Sequence, residues 1–151
     1  MSKDKNTKWM EIALKEAMIA LEEDEVPIGC VIVKGEKLLA KAHNQTERLR
    51  DPTAHAEMLA ITQAASFFEN GRLFGCSLYV TIEPCFMCTG AIILSRIENV
   101  YFGAKDPKFG ACGSLYNLGE DKRLNHKLKI RGGVLEEESL ILLKSFFEGK
   151  R

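Results

Sequence analysis

The stretch Leu78-Tyr79-Val80-Thr81-Ile82-Glu83-Pro84-Cys85-Phe86-Met87-Cys88 changes character halfway along. Leu78-Tyr79-Val80 is a short run of apolar, β-branched and aromatic residues, which is the composition of a strand. Pro84 suits the first turn of a helix, where its missing N–H would have had no partner anyway, and the spacing carries that helix to about Ser95. A strand that passes through a tight turn into a helix is the unit from which α/β folds are assembled.

The same alternation extends in both directions. Upstream, Met10, Ala13, Leu14, Ala17 and Leu21 recur at helical spacing and predict an amphipathic helix from roughly Thr7 to Leu21. Pro27 and Gly29 lead into the apolar run Ile28 to Val33. Lys34-Gly35-Glu36 then reads as a turn, and Leu38-Leu39-Ala40 as the returning strand of a hairpin. Asn44 to Pro52 is polar and reads as a loop. Thr53 is a reasonable N-cap for an Ala-rich helix from Ala54 to Phe68. Downstream, Val100-Tyr101-Phe102 is a fourth strand, and Lys105 to Gly119 is a Gly-rich loop. Leu128-Lys129-Ile130 is a short fifth strand, and Glu136 to Phe147 a closing helix with acids in its first turn. The expected architecture is an α/β sandwich around a five-stranded mixed sheet.

A chain of 151 residues can bury one good core, and no repeat or linker divides it, so one domain over 1–151 is expected. With 46% hydrophobic and 28% charged residues the composition is that of a soluble globular protein. No run is long enough to span a membrane, and Met1 to Trp9 lacks the apolar core of a signal peptide. A cytoplasmic location is therefore expected. Five cysteines, an odd number, fit free thiols better than a disulfide framework. The 21 basic and 21 acidic residues balance, so no global charge advertises a nucleic-acid partner. Locally, Glu22 to Glu25 is wholly acidic, whereas Lys122 to Arg131 carries basic residues and no acid.

Cys85 and Cys88 stand three apart at a helix start, so their side chains can meet at one point. The partial positive charge of a helix N-terminus favours their thiolates. Alone, a Cys-x-x-Cys pair serves redox, structural and catalytic sites alike. His55, which also falls near a helix N-terminus, completes an imidazole and two-thiolate set suited to zinc. His43, His126, Cys30, Cys76 and Cys112 lack a paired spacing, so no fourth ligand is evident, and three protein ligands with an open position is the catalytic pattern. Glu57 lies two residues beyond His55 and cannot share its face of a regular helix. The site must therefore lie off the helix end, with Glu57 beside the metal as a proton carrier.

His55-Ala56-Glu57 followed by Pro84-Cys85-Phe86-Met87-Cys88 resembles the signature of the cytidine-deaminase superfamily. The similarity to its bacterial tRNA-specific adenosine deaminases runs nearly end to end. It includes Glu25 to Gly29, Ala42-His43-Asn44, Asp51 to Glu57, Tyr79-Val80-Thr81, Ser95-Arg96-Ile97, Gly103-Ala104, Asp106-Pro107-Lys108, Asn125-His126 and Phe146-Phe147. The resemblance implies a three-layer α/β/α sandwich, a homodimer and one Zn²⁺ held by His55, Cys85 and Cys88. The implied reaction is hydrolytic conversion of adenosine to inosine at the wobble position of a tRNA anticodon stem-loop. Zinc-activated hydroxide would attack adenine C6 while Glu57 shuttles protons.

The resemblance also gives Asn44 a hydrogen bond to the target base or its sugar. It places Asp106 and Lys108 on the nucleotide flank, and Phe147 and Arg151 against the loop from the last helix. Each has a plainer reading: Asn44 as a turn cap, Asp106-Pro107 as an ordinary turn, and Phe147 as core on a stripe with Leu140 and Leu143. Lys122 to Arg131 reads equally as a solvated face or a phosphate-attracting one. Relatives often continue with basic residues after the Phe pair, where this chain has Glu148 and reaches Arg151, so weaker attraction to RNA is expected. Two rival functions share the motif. One is deamination of free nucleobases or nucleosides, guanine or cytosine among them. The other is a non-catalytic, zinc-stabilised RNA-binding module, which requires a closed four-ligand site.

Overall fold

A computed structural model of the chain describes residues 4–150. The first helix, α1 (Lys5–Glu22), is capped by Asp4, whose carboxylate accepts the Thr7 amide at 2.9 Å. It leads to the hairpin β1 (Gly29–Lys34) and β2 (Lys37–His43). Helix α2 (Ala56–Ala65), strand β3 (Cys76–Ile82), helix α3 (Phe86–Leu94) and strand β4 (Asn99–Ala104) follow. After a long loop containing one 3-10 turn, the short β5 (Lys129–Arg131) and α4 (Glu136–Glu148) complete the described chain.

The five strands form one mixed sheet in the order β2-β1-β3-β4-β5. Strand β1 is antiparallel to both β2 and β3, whereas β3, β4 and β5 run parallel. Side chains alternate across the sheet, as the two-residue period of a strand requires. Cys30, Ile32, Leu78, Val80, Val100 and Phe102 pack with α2 and α3 on one face. Val31, Val33 and Tyr79 pack with α1 on the other, where α4 also lies. The expected three-layer α/β/α sandwich is the observed one.

Helix α1 approaches the sheet closely because Ala13, Ala17 and Ala20 face it and Gly29 offers no side chain. A β-carbon at Gly29 would collide with the Ala13 carbonyl and the Ala17 amide, neither of which can swing aside.

Several boundaries depart from the sequence expectations. Thr53 does not cap α2: its amide and hydroxyl are both donated to Asp51, at 2.8 and 2.7 Å. The N-cap is His55, in an extended conformation with φ −72° and ψ 152°, and α2 ends at Ala65 rather than at Phe68. Likewise Pro84 lies before α3, not in its first turn, and Cys85 is the N-cap. Helix α4 buries Ser139 against Gly103 of β4, while Leu140 and Phe147 stay about half exposed and Leu143 is half-buried, so of the two readings of that stripe the core one does not hold for Phe147.

The sheet's directions decide where a site can form. The ends of β2, β3 and β4 and the start of β1 all lie along one edge, as the pairings Gly29 with His43, Cys30 with Val80 and Ile82 with Ala104 show. Loops leaving that edge can converge, as at the carboxyl ends of strands in other open α/β sheets. Gly29→Ala is expected to destabilise the protein by about 1–3 kcal/mol through overpacking at the α1–β1 contact. Urea unfolding should show this as a lower midpoint at unchanged slope.

Candidate metal centre and active site

Helices α2 and α3 both begin on that edge, and their N-cap residues are His55 and Cys85. Neither side chain caps its own helix. A cap normally turns back to an amide of its first turn; here both point to a common centre. Cys88, one turn further into α3, joins them. The His55 Nδ1 lies 3.7 Å from the Cys85 sulfur and 3.5 Å from that of Cys88. All three ligand atoms fall within 4.8 Å of one another, the one such cluster among the described residues. A tetrahedral zinc bonded at ordinary lengths would separate its nitrogen and sulfur ligands by roughly 3.5 Å. The residues therefore fit the ion.

The remaining candidates for a fourth ligand are engaged elsewhere. His43 faces Glu16 and Glu23, at 3.3 and 2.8 Å, and His126 contacts the Ile97 carbonyl at 2.6 Å. Cys30 and Cys76 are core residues, and Cys112 is buried against the Thr89 hydroxyl at 3.4 Å. Glu57 is only 4% exposed and stands beside the ligand cluster without belonging to it. Among the described residues the cluster offers three ligands and no fourth, which disfavours the structural-zinc reading, since that needs four.

The electrostatics of the centre suit a cation. The hydrogen bond from Cys88 holds the Cys85 thiol down at about 4, with His55 adding to the effect. Cys88 is pushed up, first by that shared hydrogen bond and then by burial. The Cys85 hydrogen bond raises His55 above its ordinary value. Burial is the main cause lifting Glu57 to about 7. Of the two thiols, Cys85 is therefore the readier to ionise, and Cys88 the one whose proton a metal would have to displace.

These residues lie on the wall of a cavity of about 550 Å³, within the range of small-molecule sites. Val26, Ile28, Ile82 and Met87 make its apolar walls, and Asn44, Asp106, Phe109 and Phe147 also line it. Asn44 is 5% exposed, and its side-chain oxygen has no protein partner. A buried acceptor without a donor is costly, and this one lines the cavity. Phe147 also stands there, 55% exposed, against the edge of Phe146. Asp106 takes the amides of Lys108 and Phe109 on one carboxylate oxygen, at 3.0 and 3.2 Å. Lys108 is exposed on that loop, outside the cavity wall. Arg151 lies outside the described residues.

Two buried acids that hold the loops around the cavity were given no site role in the sequence reading. Glu83, 2% exposed, accepts the amides of Asp106, Cys112 and Ser114 at 3.0–3.1 Å, together with the Ser114 hydroxyl. Glu25, 1% exposed, accepts the amides of Glu47 and Arg48 at 3.0 and 2.7 Å. Each carboxylate pins a loop that borders the cavity. The available signal was an acid directly before Pro84, and another two residues before Pro27, at the ends of apolar segments.

Residues 3–104 match the cytidine and deoxycytidylate deaminase zinc-binding region, and the chain belongs to that family of deaminases. Its relatives are more specific. The tRNA-specific adenosine deaminase of Aquifex aeolicus is 49% identical over 95% of this chain and 94% of its own length. The homologous enzyme of Bacillus subtilis is also 49% identical, over 95% and 89%. A solved tRNA:A34 deaminase, an A-to-I editor of the wobble position of transfer RNA, superposes with a TM-score of 0.86 at 44% identity. That match covers 91% of this chain and 99% of the other.

Metal uptake should release protons at neutral pH, because the Cys88 thiol, held protonated by burial and its hydrogen bond with Cys85, must ionise to bind. Affinity should therefore rise with pH, most steeply in the range where His55 also titrates. Calorimetry of zinc binding in buffers of different ionisation enthalpy measures the proton count directly. Cys85→Ala should leave the purified protein with sub-stoichiometric zinc by elemental analysis.

Proposed function

We propose that the chain is a single-domain enzyme that deaminates adenosine to inosine at the wobble position of a tRNA anticodon stem-loop, with one zinc per subunit of a cytoplasmic homodimer. The observation that carries this reading is the open His55-Cys85-Cys88 cluster with buried Glu57 beside it, on the wall of a cavity large enough to admit a nucleobase. The names of the relatives support the substrate. Among the described residues no helix is long and apolar enough to cross a membrane.

The overall change is adenosine plus water to inosine plus ammonia. Bound zinc supplies the Lewis acidity that makes water a nucleophile near neutral pH. His55, Cys85 and Cys88 hold the ion and leave one position open. Glu57 takes one proton from water and gives it to the adenine ring nitrogen, then takes the proton of the hydroxyl now on C6 and gives it to the departing amine, so the C6–N bond breaks and ammonia leaves. A carboxyl poised at about 7 can serve as both base and acid under physiological conditions. Burial favours its neutral form, and the imidazole of His55 favours the charged one.

The Asn44 side chain hydrogen-bonds the target nucleotide, which satisfies its otherwise unpaired oxygen. The apolar walls exclude bulk water from the reacting carbon. Asp106 and Lys108 face the flanking nucleotides, and Phe147 meets the anticodon loop from α4; the role expected for Arg151 falls outside the described residues. Such a site needs its base unstacked, and an anticodon loop offers that at lower cost than a duplex.

Purified protein incubated with an anticodon stem-loop bearing a wobble adenosine should produce inosine, detected by nuclease digestion and mass spectrometry. Turnover of free guanine or cytosine with no inosine from the stem-loop would reassign the substrate. Glu57→Gln should keep its zinc and lose activity by at least about 10²–10⁴-fold. Loss of zinc on that substitution would make Glu57 a ligand and overturn its role as proton carrier.

A further inference from the structure

We propose that Phe109 is a stacking platform for a base adjoining the target adenine, and so a determinant of substrate recognition; this rests on the RNA-deaminase reading above. The ring is 57% exposed yet lines the same cavity as Glu57 and Asn44. A single exposed apolar side chain is ordinary. This one is distinguished by how firmly its backbone is held.

The Phe109 amide is donated to the Asp106 carboxylate, as is that of Lys108. The Gly110 amide returns to the Asp106 carbonyl at 2.8 Å, closing the turn. Behind it lies the buried carboxylate of Glu83, which takes amides from both ends of this loop, at Asp106 and at Cys112 and Ser114. Gly110 sits so tightly on Glu83 that a β-carbon there would collide with the carboxylate. Gly110 also bridges to Cys85, and the Ala111 amide to the Pro84 carbonyl at 2.9 Å, so the turn is fastened to a metal-ligating segment. A buried charge and a network of amides thus hold an aromatic ring at the mouth of the site, in water, where it buries little of its own surface.

Base recognition accounts for that placement. A base that enters the cavity leaves its stack, and its neighbour loses one covered face. An aromatic side chain can replace that face whatever the base, since every base has a π-surface. Phe147 offers an aromatic ring from α4 and Phe86 one from the start of α3; Phe109 offers a third, from the β4–β5 connection, and is the one on a turn fastened to Glu83 and flanked by lysines. Lys105 and Lys108 are exposed on the same turn, so the ring is accompanied by cations suited to the phosphates of the nucleotide it would stack. That pairing favours a nucleic-acid strand over a protein surface as the occupant.

The test compares wild type, Phe109→Ala and Phe109→Tyr, all zinc-loaded, on three anticodon stem-loops. One is intact, one is abasic on the 5′ side of the target adenosine, and one is abasic on its 3′ side. On the intact loop Phe109→Ala should raise KM roughly 5- to 150-fold, the range of one lost base–aromatic stack, with kcat less affected, while Phe109→Tyr stays near wild type. On one of the two abasic loops the same Ala substitution should add less than about twofold, because the partner base is already gone. Equal KM for wild type and Phe109→Ala on the intact loop overturns the proposal. So does an identical loss on all three loops, which marks a merely structural role. Absence of inosine from the wild type on the intact loop overturns the wobble-deaminase reading, and the stacking proposal with it.

Discussion

Everything at this site depends on two helix N-termini meeting at one edge of the sheet. The residues that would ordinarily cap those helices, His55 and Cys85, turn their side chains outward to the same centre. The first-turn amides of α2 and α3 are left without a side-chain cap, so each helix gives up about 1 kcal/mol of stabilisation. In return, the positive ends of two helix dipoles face the thiols. A metal ion bound by these side chains would offset that cost, which would couple metal binding to folding.

Two buried carboxylates extend the same economy of design outward. Glu25 and Glu83 sit behind the cavity and accept amides from loops that supply its wall. Charge-assisted bonds of this kind are stronger than neutral ones, and they let irregular backbone hold a defined shape next to a reactive site. The acidic run Glu22 to Glu25 is accordingly not a free solvated face. Glu23 meets His43 and Arg48, Asp24 meets Lys150, and Glu25 is buried. These contacts tie the end of α1 to the loop beyond Asn44 and to the end of α4.

Glu57 shows how one environment can set both position and reactivity. It follows His55 by two residues, so it is carried into the first turn of α2 and cannot join the ligands. Burial among apolar neighbours raises its proton affinity to about 7, while the adjacent imidazole keeps the charged form accessible. A carboxyl in water would be a weaker acid–base pair at neutral pH.

The order of strands and helices, the amphipathic α1, the hairpin and the ligand set His55, Cys85 and Cys88 were all legible in the sequence. They rest on local signals: period-2 and period-3.6 patterns, turn residues, and donor types at short spacing. The helix starts were displaced by a residue or two because Thr53 is drawn to Asp51 and the N-caps are His55 and Cys85, whose side chains turn to a common centre rather than to their own helices. Whether the Leu140-Leu143-Phe147 stripe of α4 was core or contact surface stayed open in the sequence, because periodicity shows that a face exists, not what it meets. Asn44, Glu25, Glu83 and Phe109 acquire their places through contacts between residues distant in the chain. The sequence by itself therefore determined which atoms could bind zinc and that a carboxyl would stand beside it. Only the tertiary structure decided which loops enclose them and what fills the mouth of the site, because those follow from strand direction along one sheet edge and from buried charges that no local pattern reveals.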